Sequence, residues 1–118
     1  MWQVMRAAID VQKARTAYEP NLRAIRPAEA LYLGTAGGAR ALGKSSAIGT
    51  LDPGKEADLL LVDIAATLPY GADQARSADL SPEDVIALCI YRGGMPATVE
   101  TYVRGKSVYR RPRADVTL

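Results

Sequence analysis

The residues that first invite a chemical reading are Gly38-Ala39-Arg40-Ala41-Leu42-Gly43-Lys44-Ser45, a literal match to the glycine-rich loop that cradles phosphates in nucleotide hydrolases. Eighteen residues past Ser45, an apolar run ends at Asp63, the residue type that holds magnesium beside such a loop. The carboxylates form a second set: Asp10, Glu19, Glu29, Glu56, Asp58, Asp63, Glu83, Asp84 and Glu100. Against both stands a count of zero: the chain has no histidine. Histidine is the usual zinc ligand and the side chain best placed for proton transfer near neutral pH, so most zinc-hydrolase and triad mechanisms lack a required part. Any chemistry must use carboxylates, lysines or hydroxyls, or lie elsewhere.

Neither set survives a look at the elements that would have to position it. A phosphate loop needs a strand before its first glycine and a helix starting at its Lys-Ser, so that backbone amides and the helix N-terminus bind the anion together. Here the alanine- and leucine-rich segment "AEALYLGTAGGARALG" precedes Lys44, and a turn and strand follow it. The eighteen-residue gap is also too short for the crossover that would bring Asp63 beside the loop. Gly43 is therefore expected to end a helix as a left-handed cap, with Lys44 solvated and Ser45-Ser46 opening a loop. The carboxylates are spread over faces, turns and caps, and no spacing forces a pair together. Asp58 and Asp63, on one strand five residues apart, are expected on opposite sides. Arg92, beside Gly93-Gly94, is expected to satisfy carbonyls at a helix C-terminus.

Composition limits the class. The chain has 118 residues, 48% of them hydrophobic and 24% charged, which suits one globular domain or part of one. A net charge of +2 with scattered basic residues, apart from the tail "YRRPR" at Tyr109–Arg113, does not form the basic stripe with stacking aromatics that nucleic acid requires. The single cysteine, Cys89 in "VIALCIY", rules out an internal disulfide and a cysteine-based zinc cluster, and it reads as a small apolar packing residue. No apolar run approaches about 18 residues and no signal-peptide layout is present, so the reading is of a cytoplasmic chain with no membrane partner.

The elements follow from periodicity and punctuation. "MWQVMRAAIDVQKARTAY" places Met1, Met5, Ala8 and Val4, Ala7, Val11 at helical steps, with Arg6, Asp10 and Lys13 off that face. This helix has no capping residue before its apolar face, and Trp2 stands where a capped entry is expected. Pro27, with Glu29 two positions on, opens a second helix running to Gly43, in which Gly34, Gly37 and Gly38 suggest close approach to another element. Asp52-Pro53-Gly54-Lys55 is turn chemistry before a short buried strand, 57–63, and residues 64–80 read as loop. Ser81, Pro82, Glu83 and Asp84 start a helix that stops at Gly93-Gly94. "ATVETYVRGKSVYRR" alternates as a hairpin about Arg104-Gly105.

The order of "GTAGGARALG", "IGTLDPGKEADLLLVD" and "VETYVRGKSVYRR" resembles the C-terminal end of the amidohydrolase superfamily of metal-dependent hydrolases, with "GTLDPGKEADLLLVD" the most specific piece. "MWQVMRAAIDVQK" and the segment from "SPEDVIALCIYRGG" onward most resemble guanine deaminases, and chlorohydrolases and other aminohydrolases share much of this tail. The resemblance implies an α/β chain: late helices of a TIM barrel, left incomplete, plus strands of the accompanying β-sandwich. It divides the chain into late barrel helices (1–46), a turn and sandwich strand (47–63), a loop and helix (64–97), and a C-terminal hairpin and tail (98–118). It also implies zinc-activated water attacking the ring carbon that bears the amino group, guanine giving xanthine and ammonia.

In the family the metal is held by a His-x-His pair, two later histidines and an aspartate, all upstream of the region matching Met1. None of these can be carried over, so no residue here is assigned a catalytic, cofactor-binding or metal-binding role. The missing histidines, the uncapped first helix and the register of the match together imply a chain lacking its N-terminal portion, as a fragment or through a start codon assigned at an internal methionine. The expected partners are that N-terminal portion and further copies of the chain. Two other readings stand beside it: a small non-catalytic interaction module, and a related amidohydrolase completed by a second chain.

Overall fold

The computed structural model describes residues 1–69 and 79–112. Helix α1 spans Trp2–Thr16 and begins at Met1 without a side-chain cap. Helix α2, Pro27–Tyr32, has proline at its start, and Glu29 Oε2 accepts the backbone N–H of Arg26 at 2.8 Å. The helical path continues through a π-helical turn, Leu33–Gly37, into α3, Gly38–Ala41. The single helix expected from 27 to 43 is thus widened in its middle, where Thr35 Oγ1 donates to the Leu31 carbonyl at 2.7 Å. Gly43 ends the run with φ of +64°, the left-handed cap expected.

The close approach expected at the glycines is present at Gly34, where a Cβ would run into the terminal methyl of Met5. Helix α4, Pro82–Arg92, begins as read, with Ser81 Oγ accepting the Asp84 N–H at 3.2 Å.

These helices share one core. Met5 and Ile9 of α1, Ala30 of α2 and Ile90 of α4 are buried together, with Trp2, Ile25, Ile86 and Tyr91 packed around them. Arg6 and Lys13 of α1 lie 5.7 and 5.8 Å from the centre of the Tyr91 ring, adding cation–π contacts from α1 to α4. The face expected on α1 needs correction. The buried line steps through Trp2, Met5, Ile9 and Gln12, while Val4 and Val11 are 67% and 60% exposed. Of the expected face, Met1, Met5, Ala8, Val4, Ala7 and Val11, only Met5 is buried, because α2 and α4 pack against the side of α1 that carries Trp2, Met5 and Ile9.

The sheet is built separately. Strands β1, Leu59–Val62, β2, Thr98–Val103, and β3, Lys106–Arg110, form an antiparallel sheet in the order β1-β2-β3. Arg104 and Gly105 join β2 to β3 with φ of +49° and +76°, the paired positive values of the tight turn whose twist suits a hairpin. Asp52-Pro53-Gly54-Lys55 turns as expected, with Gly54 at φ +90° and the Lys55 N–H donating to the Asp52 carbonyl.

Strand β1 is not the buried strand the apolar run suggested. Leu60 and Leu61, neighbours on opposite faces of β1, are 38% and 45% exposed, and Leu59 and Val62 are only half-buried. Of the segment expected as loop, Ala65–Thr67 forms a 3-10 turn, and residues 70–78 lie outside the described residues. The radius of gyration, 16.6 Å, exceeds the roughly 13.5 Å of a compact domain of this length.

Candidate functional site

The phosphate-loop match dissolves in three dimensions. Gly38–Ala41 is helix, the Lys44 N–H donates back to the Ala39 carbonyl, and Lys44, Ser45 and Ser46 are exposed. No strand enters at Gly38, and no helix starts at Ser45.

Each carboxylate singled out from the sequence has a partner that accounts for it. Glu29 takes the guanidinium of Arg23, with Arg23 Nη1 2.8 Å from Oε2, besides capping α2. That Arg23 pairing, then the Arg26 amide, holds the Glu29 carboxyl down at about 2. Arg26 in turn donates to Glu83 Oε1 at 2.7 Å and ties α2 to the start of α4. Asp10 lies 3.6 Å from Arg6, Glu19 accepts Arg15, and Asp84 closes the α4 cap.

In the sheet, Glu56 accepts Arg104 Nε at 3.1 Å, and Asp58 accepts the backbone N–H of Arg104 at 2.7 Å. Asp63 accepts Arg111 Nη2 at 2.9 Å, which holds its carboxyl below the usual range. Glu100, 6% exposed, accepts Arg110. Asp58 and Asp63 therefore serve different partners at the two ends of β1.

One residue, Arg92, occupies a place the sequence did not show. Arg92 does satisfy carbonyls, but those of the 3-10 turn: its Nε donates to the Thr67 carbonyl at 2.6 Å, locking α4 onto the segment after β1. The pairs Arg26–Glu83, Arg111–Asp63 and Arg110–Glu100 were all missed. The last alone had a readable signal, since it faces across a hairpin whose turn was legible.

An open groove of about 510 Å³ runs between α1, the linker and α2, edged by Gln12, Asn21, Arg23, Glu29 and Tyr32. Its one guanidinium and one carboxylate are bound to each other. Cys89 is buried, and burial pushes its thiol up, so it is a packing residue and not a ready thiolate. Among the described residues no three His, Cys, Asp or Glu side chains converge on a point that could hold a metal ion. With no histidine in the chain and the described carboxylates apart from one another, the described residues do not assemble a zinc site.

A chain with this order of helices and sheet, and with its carboxylates spent on guanidinium groups and caps, belongs to the amidohydrolase family, whose pattern matches residues 1–108. Within that family it is similar to a guanine deaminase of Escherichia coli, 37% identical over 83 residues, which are 70% of this chain and 18% of the relative. It is also similar to a 5-methylthioadenosine/S-adenosylhomocysteine deaminase of Symbiobacterium thermophilum, 39% identical over 82 residues, 69% of this chain and 16% of the relative. Of solved structures, E. coli guanine deaminase superposes with a TM-score of 0.76 at 31% identity, covering 94% of this chain and 24% of that one. Guanine deaminase from Bradyrhizobium japonicum shares the fold, with a TM-score of 0.75 at 20% identity over 94% of this chain and 28% of its own. The chain thus spans between a sixth and about a quarter of the length of these relatives. Among the described residues no helix is long and apolar enough to cross a membrane.

Proposed function

We propose that this chain is the C-terminal segment of a guanine-deaminase-like amidohydrolase and serves as framework. Helices α1 to α3 would cover late barrel strands, and the three-stranded sheet would be one part of the accompanying β-sandwich. The whole enzyme would convert guanine and water to xanthine and ammonia, using reacting groups that precede Met1 in the longer protein. The observation that carries this reading is the match to guanine deaminase over 94% of this chain and only 24% of the relative. The side chains support it: the carboxylates already have partners and histidine is missing. The partners of the segment are the N-terminal portion of the enzyme and, when the segment stands alone, further copies of itself through its uncovered apolar surface.

The test is ammonia release from guanine by the purified chain with added zinc, on protein whose helical content has been verified by circular dichroism. No release above buffer is expected, and turnover by the folded chain would sink the proposal. Sedimentation tests the self-association, where a monomeric mass with cooperative unfolding would contradict it. Substrate profiling of the segment joined to the rest of the enzyme then separates guanine from other aminated rings.

A further inference from the structure

Ser107 and Arg110 are three residues apart on β3, and in a regular strand they would stand on opposite faces. They stand on the same one. Nearest the turn, Val103 pairs with Lys106 and Tyr102 with Ser107; further along, Thr101 pairs with Tyr109 and Glu100 with Arg110. The register shifts by one residue between Thr101 and Tyr102, and Val108 is left without a cross-strand partner. Ser107, Tyr102 and Arg110 are thereby gathered on the face of Glu100.

A second register is available to the same turn. Carried on regularly from Val103–Lys106, the ladder would pair Thr101 with Val108 and Glu100 with Tyr109. Tyr109 and Arg110 would then exchange faces. Burial of Val108 does not select the bulged form, since that side chain is 60% exposed.

What differs is the surroundings of Glu100. Its side chain is 8% exposed and accepts Arg110 Nε at 3.1 Å and Nη2 at 2.8 Å. Ser107 first, then Arg110, hold its carboxyl below the usual range. In the slipped register the carboxylate would stay on the middle strand and lose its guanidinium, and an unpaired buried charge is among the costliest single defects a fold can carry. Arg111 favours the same register: its N–H donates to the Val99 carbonyl at 2.8 Å and its guanidinium reaches Asp63 and the Pro96 carbonyl.

We propose that Glu100 is a register lock, which selects the bulged hairpin over the slipped one by pairing with Arg110 across β2 and β3. The inference stands on the sheet alone and is independent of the reaction proposed above. It is tested by nuclear magnetic resonance on the full chain, comparing through-space contacts of Thr101 with Tyr109 and with Val108. The native chain should show only the first. In Glu100→Leu the Thr101–Val108 contacts should rise at least about tenfold relative to the first set. A Glu100→Leu chain that keeps only Thr101–Tyr109 contacts overturns the proposal.

Should Glu100→Leu lose its sheet signals altogether, the charge-exchanged chain carrying Glu100→Arg and Arg110→Glu decides. Return of the Thr101–Tyr109 contacts supports the lock, and failure to recover them overturns it.

Discussion

The helical region and the sheet are held together by different physics. In the helices, Met5, Ile9, Ala30 and Ile90 bury one another, and ion pairs such as Arg26–Glu83 lie at the rim. In the sheet no such apolar cluster exists among the described residues: Leu60, Leu61, Val103 and Val108 are exposed, and the side-chain ties are Glu100–Arg110, Asp63–Arg111 and Glu56–Arg104. The helices have a core of their own yet leave Val4, Val11, Leu33 and Leu42 bare, so the two regions differ in what ties them together and not in whether apolar positions stay open. On the framework proposal, both regions would keep apolar surface for the rest of a longer enzyme, the helices beside a core of their own and the sheet beside charged ties.

The comparison breaks most readily at Ile9. Ile9→Ala should cost about 2–5 kcal/mol in urea unfolding followed by circular dichroism, while Leu61→Ala on the open sheet should change stability by less than about 0.5 kcal/mol. Equal effects would show that the sheet has a core of its own. Gly105→Ala, at φ +76°, should cost roughly 1–2 kcal/mol, read as lost amide protection in β2 and β3 with α1 unaffected. Ser81→Ala, which removes the cap of α4, should cost about 1 kcal/mol and be visible in the helical signal.

The smallest effect sharpens the contrast through pH. Glu29, Asp63 and Glu100 all have carboxyls held below their ordinary values by guanidinium, hydroxyl or amide partners. Their contribution is therefore complete above the ordinary carboxylate range near 4.5 and fades as pH falls, for Glu29 toward about 2. Hydrogen exchange across that window should show the sheet losing protection before the α1–α4 core. Simultaneous loss would mean that the two regions unfold as one unit.

What could be read beforehand follows the range of each interaction. The start of α4 rests on Ser81, Pro82 and Asp84, the hairpin on Arg104-Gly105 and the helix stop on Gly43, all within a few residues of each other and all legible. The buried face of α1 depended on which neighbour arrives, so Ile9 went in and Val4 and Val11 stayed out. Arg26–Glu83 and Arg111–Asp63 join residues 57 and 48 positions apart, and no local pattern encodes them. The apolar run at β1 has the composition of a covered strand, but Leu60 and Leu61 stand open among the described residues, and composition alone does not encode which neighbour packs on a strand.

The most direct test of the framework reading is the nucleotide sequence immediately upstream of the codon for Met1. The account predicts an in-frame continuation carrying a His-x-His pair, two further histidines and an aspartate shortly before Trp2. A stop codon just upstream, in an expressed transcript, would contradict it and make the chain a protein in its own right.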